Sequence, residues 1–140
     1  MNIFNFLLVK KIVSKAGVLH FCRWRLLQTP WFGIYIHKIC KSDEEKHHHD
    51  HPWAFISFVI LGGYKEEVFP ANTFGFYNRI CRPGSIVYHK AKDFHKITLL
   101  KKSAWTLVFV GKRSHDPWGY RTESGWVNNE TYRREKNKQT

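Results

Sequence analysis

The chain has 140 residues, 43% of them hydrophobic and 16% aromatic, with 23 basic against 11 acidic side chains and a formal net charge of +12. That length suits one domain around one core, and the apolar and aromatic content excludes a disordered chain. Cys22, Cys40 and Cys81 form no CxxC pair, which excludes a disulfide framework and a thiolate zinc site and points to a reducing interior.

A field this positive favours anionic partners. Part of it sits in Arg133, Arg134, Lys136 and Lys138 near the C-terminus, and the rest is dispersed without an aromatic-interleaved basic stripe. Specific nucleic-acid binding is therefore not expected.

In chain order, residues 2–16 place Phe4, Leu7, Leu8, Lys11 and Ile12 at near-helical spacing, predicting a short amphipathic helix that Gly17 stops. The same stretch, broken by Asn5, Lys10 and Lys11, lacks the layout of a signal peptide. No run approaches the roughly 18 apolar residues that span a bilayer, so a soluble, cytoplasmic protein without membrane contact is expected.

The texture then changes. Gly33–Cys40, Trp53–Leu61, Tyr64–Phe69, Phe74–Ile80, Ser85–His89, Phe94–Leu100 and Trp105–Gly111 are short runs rich in β-branched and aromatic residues. Turn signals separate them: Lys41-Ser42-Asp43, Gly62-Gly63, Pro70-Ala71-Asn72, Arg82-Pro83-Gly84 and Asp116-Pro117. Gly62-Gly63 reads as a two-residue hairpin, because both positions tolerate positive φ. Closely spaced strands without long helices between them predict an all-β antiparallel sandwich or barrel. Boundaries follow: a helical segment over 1–17, a β-barrel over 18–127 and a polar, frayed tail over 128–140.

Four of the nine histidines fall in His47-His48-His49-Asp50-His51, just before the strand that begins at Trp53. In extended backbone, His49 and His51 project to one face while His48 and Asp50 point away. Their Cα atoms then lie about 6–7 Å apart, close enough for two imidazoles to reach one ion. Two ligands hold a metal poorly, so a third must come from elsewhere, and His89 and His95 are the candidates near residue 90. The spacing alone leaves open whether the pair is a ligand set or chance, and His47 and His48 read as exposed polar residues.

HxH at the head of an apolar strand, then Pro83-Gly84 followed by His95, resembles the two motifs of the cupin superfamily. More narrowly, HDHPW, ILGGYKE, DFHK, AWTL and WGY in that order resemble a group of small bacterial and phage cupins. The pattern of that group is LHDHPWDF, ILxGGYxE, DFHR, WTLFxxG, WGF, and the similarity runs from about Arg23 to Tyr132. The resemblance implies a cupin barrel or jelly roll in which His49, His51 and His95 bind one divalent transition metal. The glutamate usual in the first motif would fall near Phe55 or Ile56, where neither residue binds metal. What remains is a facial three-histidine set like that of the thiol dioxygenase branch. Fe(II) is favoured, with Zn, Ni or Mn as alternatives. The resemblance also allows a homodimer through sheet edges.

Other residues follow by parity. Trp53, Phe55, Ser57, Val59 and Leu61 continue the face of His51, making Trp53 and Ser57 substrate-binding candidates. Arg82 suits a carboxylate or phosphate, and His89, kept as a substrate-binding candidate, reads first as the polar end of its strand, then as a proton relay, then as a fourth metal ligand. Glu66 and Glu67 lie on opposite faces, so one points inward; Glu67 and Tyr64 are the catalytic candidates. Asp50 is suited to orienting an imidazole or a turn. Trp118, Gly119 and Tyr120 close the barrel end. The expected function is that of a metal-dependent, dioxygenase-like cupin acting on a small polar or anionic molecule. The rival readings are a non-enzymatic ligand binder or sensor and a metal-assisted hydrolase or isomerase.

Overall fold

The computed structural model describes residues 7–115 and 117–139. Strands β1 (Leu7–Val13), β2 (Leu19–Gln28), β3 (Gly33–Ile39), β4 (Trp53–Leu61), β5 (Tyr64–Phe69), β6 (Tyr77–Cys81), β7 (Ile86–His89), β8 (Phe94–Leu99), β9 (Ala104–Arg113), β10 (Gly119–Thr122) and β11 (Gly125–Asn128) precede one helix, α1 (Asn129–Lys138). Six strands form one antiparallel sheet in the order β1-β2-β3-β9-β4-β7. The second layer holds β6-β5-β8 and the β10-β11 hairpin. Isolated bridges from His49 to His95 and to Tyr120 stitch these two groups together, so the histidine-rich segment takes the place of a strand between β8 and β10.

The core lies between the layers. Val59, Val87 and Ala104 from the large sheet pack with Tyr64 and Cys81 from the small one, flanked by Ile39, Ile97 and Leu99. Inward residues alternate with outward ones, most plainly in β5, where Tyr64, Glu66 and Val68 are buried while Lys65, Glu67 and Phe69 are less so.

Four features depart from the expectations above. Residues 7–13 form a strand, not a helix, because β2 lies alongside and pairs with them from Leu7↔Arg25 to Val13↔Leu19. Seven residues containing Val9, Ile12 and Val13 gain more from a ladder than from two helical turns; residues 1–6 of the expected helix lie outside the described residues. Gly62-Gly63 is not a hairpin turn, since β4 and β5 belong to different sheets. It is the corner between layers, where φ of 78° and 113° turns the chain and a Cβ on Gly62 would meet Ser103 O at 2.0 Å. The C-terminal segment is helical rather than frayed. The Asn128 side chain caps it by accepting from Thr131 N, and Glu130 in the first turn with Lys136 and Lys138 in the last complement the helix dipole. Lastly, Leu61 does not continue the inner face, because a register shift after Val59 turns it out to 59% exposure. Among the described residues no helix is long and apolar enough to cross a membrane.

Candidate metal centre

His49 is anchored by backbone bonds in both directions with His95, His49 N to His95 O at 3.1 Å and His95 N to His49 O at 2.8 Å. That bridge sets the two rings side by side, with centroids 4.6 Å apart, and Pro52 and the start of β4 bring His51 to 4.8 Å from His95. One nitrogen from each of His49, His51 and His95 falls within 4.8 Å of the others. His51 Nε2 and His95 Nε2 are 2.7 Å apart. Asp50, between the two first-motif histidines, faces away as its parity requires. It accepts from Gly119 N at 2.7 Å and from Trp126 Nε1 at 3.1 Å, pinning the β10-β11 hairpin over the site.

Behind His95 stands Glu66, whose exposure is 0%. Its Oε1 accepts from His95 Nδ1 at 2.6 Å and from His89 Nε2 at 2.5 Å, and its Oε2 accepts from Arg79 Nε at 2.6 Å. Burial alone would raise this carboxyl, but the bonds from His89 and His95 more than reverse that and hold it well below the usual carboxylate range. An ionised Glu66 accepts a hydrogen bond from His95 Nδ1–H, so the Nε2 lone pair points at His51 and His49. This is the carboxylate–histidine arrangement that orients metal-ligating imidazoles. Burial first, and then the neighbouring His95, keep His49 and His51 well below the ordinary histidine range, so both rings are neutral and can donate. These three nitrogens fit a divalent transition metal.

A second grouping of Glu66, His89 and His95 is equally compact. It already contains a cation, because Arg79 reaches both Glu66 and His89 Nε2, the latter at 2.8 Å. Glu66 there is already engaged by Arg79, His89 and His95, whereas the His49–His51–His95 face brings three ring nitrogens together at the cavity with no guanidinium among them, so that face is the better suited to metal.

The histidine face opens into a cavity of about 500 Å³. Trp53, Phe55, Ser57, Tyr64, Thr106 and Val108 line it, with Trp118 and Tyr120 at its hairpin side. Tyr64 is buried beside Ser57, and burial followed by the nearby Glu66 charge raises its phenol far above its ordinary value. It stays a proton-bearing donor.

The structure thus gathers His49, His51, His95, Trp53, Ser57 and Tyr64 around one space. Three candidates lie elsewhere. Glu67 points off the opposite face of β5 to His48, 3.1 Å away, and the inward carboxylate is Glu66. Arg82 is exposed in the β6–β7 turn and does not line the cavity. His89 is buried behind Glu66, where the Phe55 ring stacks on it at 4.7 Å and separates it from the open space. His47 and His48 also have partners, His47 in Tyr132 and Glu123 and His48 in Glu67. Sequence parity missed Arg79 and the inner-face residues Arg23 and His37, whose placement depends on strand register.

No family model matches the chain, and no curated protein sequence matches it. Solved structures do. The Fe(II) form of HppE aligns with TM-score 0.59 and 16% identity over 72% of this chain and 54% of that one. DMSP lyase DddQ from Ruegeria pomeroyi DSS-3 aligns with TM-score 0.58 and 14% identity over 82% and 59%. KdgF from Halomonas sp. aligns with TM-score 0.52 and 17% identity over 75% and 88%. The chain spans little more than half the length of the HppE structures it matches. At these identities the likeness concerns the fold, which is that of the cupin jelly rolls. A metal-capable three-histidine face backed by a carboxylate sits inside it.

Proposed function

We propose that this chain is a metal-dependent cupin enzyme of the small bacterial and phage type, acting on a small anionic molecule. His49, His51 and His95 would hold one divalent transition metal, with Fe(II) favoured. The observation that carries the reading is the clamp on His95: Glu66 takes one ring nitrogen, and the other is aimed at His51 across 2.7 Å. The nitrogen left free by that bond converges with one from each of His49 and His51, all within 4.8 Å of one another, which is the arrangement a carboxylate-oriented metal ligand requires.

An ion held by three neutral imidazoles keeps its full charge and open positions, and supplies Lewis acidity and, as iron, redox capacity. The chain's own residues do the rest. Glu66 fixes the His95 tautomer and is itself fixed by Arg79. Trp53, Phe55 and Val108 form apolar walls that exclude bulk water. The Tyr64 phenol and the Ser57 hydroxyl are polar points that can orient a bound molecule. The all-imidazole donor set and apolar walls favour an oxygenase. HppE, a hydroxypropylphosphonic acid epoxidase, and DMSP lyase show that this fold carries both epoxidase and lyase chemistry.

Elemental analysis of protein purified from metal-replete cells tests the site. About one equivalent of a transition metal is expected, and its loss in a His49→Ala, His51→Ala, His95→Ala variant. Less than about 0.2 equivalents in the unaltered protein, or full retention in the variant, removes the site. Oxygen uptake with small carboxylates and phosphonates then separates an oxygenase from a hydrolase, isomerase or lyase.

A further inference from the structure

The inner face of the large sheet is not uniformly apolar. One row of cross-strand partners runs Lys10↔Arg23 between β1 and β2, Arg23↔His37 between β2 and β3, and His37↔Thr106 between β3 and β9. All four residues line the cavity that the metal-capable histidines open into. We propose that Arg23, with Lys10 beside it and His37 behind it, forms an oxyanion subsite for the carboxylate or phosphate group of a small ligand. The far end of that ligand faces His49, His51 and His95, a placement that rests on the metal-enzyme reading above; the subsite itself does not.

Arg23 is held in a defined pose. Its Nε donates to His37 Nε2 at 2.9 Å, and its guanidinium carbon lies 5.2 Å from the Tyr35 ring centre and 5.7 Å from that of Trp53. The ring contacts and the His37 bond hold the guanidinium in place and leave its terminal N–H groups for a ligand. That planar fork matches carboxylate and phosphate oxygens. Among the described residues no carboxylate pairs with Arg23 or Lys10. The acids that share the cavity are engaged elsewhere: Glu66 with Arg79, Asp43 with Ile97 N, Glu44 with Lys41 and Glu45 with Lys136.

Two like charges directly opposite each other in a β-ladder are destabilising, and Lys10 and Arg23 stand in that relation. Burial first, and then Arg23 and Arg133, lower the Lys10 ammonium. A bound oxyanion relieves this crowding.

The test is calorimetric titration of the metal-free protein with inorganic phosphate and with acetate, against sodium chloride at matched ionic strength. Saturable one-site binding of phosphate or acetate above chloride is expected; the tighter of the two names the group. Arg23→Gln should weaken it about tenfold or more, the loss expected for a charged hydrogen-bond donor, Lys10→Gln should weaken it less, and the exposed Arg82→Gln should leave it unchanged. No binding above chloride, or unaltered binding by Arg23→Gln, overturns the proposal. Metal uptake measured on the same proteins keeps the two readings apart. Arg23→Gln that takes up metal normally while losing phosphate shows a folded protein lacking only the subsite. Arg23-dependent phosphate binding in a protein that never takes up metal leaves the subsite standing and the metal enzyme refuted.

Discussion

His95 and His37 face one cavity from its two layers, and their neighbours give them opposite tasks. His95 meets a carboxylate through Nδ1 and so turns an unprotonated Nε2 into the cavity. His37 meets a guanidinium, which takes its Nε2 lone pair, so the ring serves to hold Arg23. The residue type is the same, though His95 is buried and His37 only partly so. The sign of the partner decides which ring can be a metal ligand and which can only position a cation. The cavity is correspondingly polarised, with an electron-donating wall at β8 and the histidine-rich segment and a positive wall at β1, β2 and β3.

Exchanging the carboxylate should have the largest effect. Glu66 satisfies two buried donors, His89 and His95, and the half-buried Arg79, so Glu66→Ala should cost about 3–5 kcal/mol in chemical denaturation, the usual penalty for stripping one member from a buried ion-pair network. Glu66→Gln keeps the shape and separates metal from fold. It should weaken metal affinity about 10–100-fold in a competition titration with a chelator. If Glu66→Gln binds metal as tightly as the unaltered protein, the tautomer of His95 does not depend on that carboxylate, and the contrast with His37 loses its basis.

Changes on the positive wall should be smaller and should spare the metal. His37→Leu removes the acceptor for Arg23 Nε, whereas His37→Gln can keep one. Metal content should be unchanged in both, and stability should fall by about 1–3 kcal/mol in the leucine variant, the cost of an unsatisfied buried donor. Burial, followed by the Arg23 and Lys10 charges, holds His37 well below the ordinary histidine range. The unfolded chain, titrating near pH 6.5, therefore binds more protons than the folded one below that pH. Stability contributed by the neutral ring is present above about pH 6.5 and is lost as pH falls toward the folded value. Thermal melts of metal-free His37→Gln should show a shallower loss between about pH 6.5 and 5 than the unaltered protein.

Most of the strand framework is readable in the sequence, because β3, β4, β5, β7, β8 and β9 are short alternating runs between strong turn residues. β6 is the partial exception: Phe74–Ile80 reads as strand, yet pairing begins only at Tyr77, and Phe74 stands free in solvent. The i, i+2 relation of His49 and His51 also follows from parity. Parity cannot say which of two adjacent residues faces in. That choice, Glu66 over Glu67, is made by the pairing of β5 with β8, which puts Val68 opposite His95 and turns the even-numbered positions toward the core. Arg23 and His37 are harder still. Neither is part of a motif, and they become a pair only through the β2–β3 register. The helical spacing of residues 7–12 was a local pattern that the open edge of β2 overrode.

The smallest effect expected is at Tyr64, and it bears on how the two walls meet. The Tyr64 ring is packed in the core cluster with Val59 and Cys81, while its hydroxyl neighbours Ser57 at the floor of the cavity. Tyr64→Phe keeps the packing and removes one neutral hydrogen bond, so it should cost about 1 kcal/mol. Metal content should stay at one equivalent and phosphate binding should be unaltered, because the phenol touches neither wall's charged groups directly. If the phenol orients a bound molecule between the walls, turnover of a true substrate should fall while these two binding readouts hold. Turnover unchanged in Tyr64→Phe would restrict Tyr64 to the core.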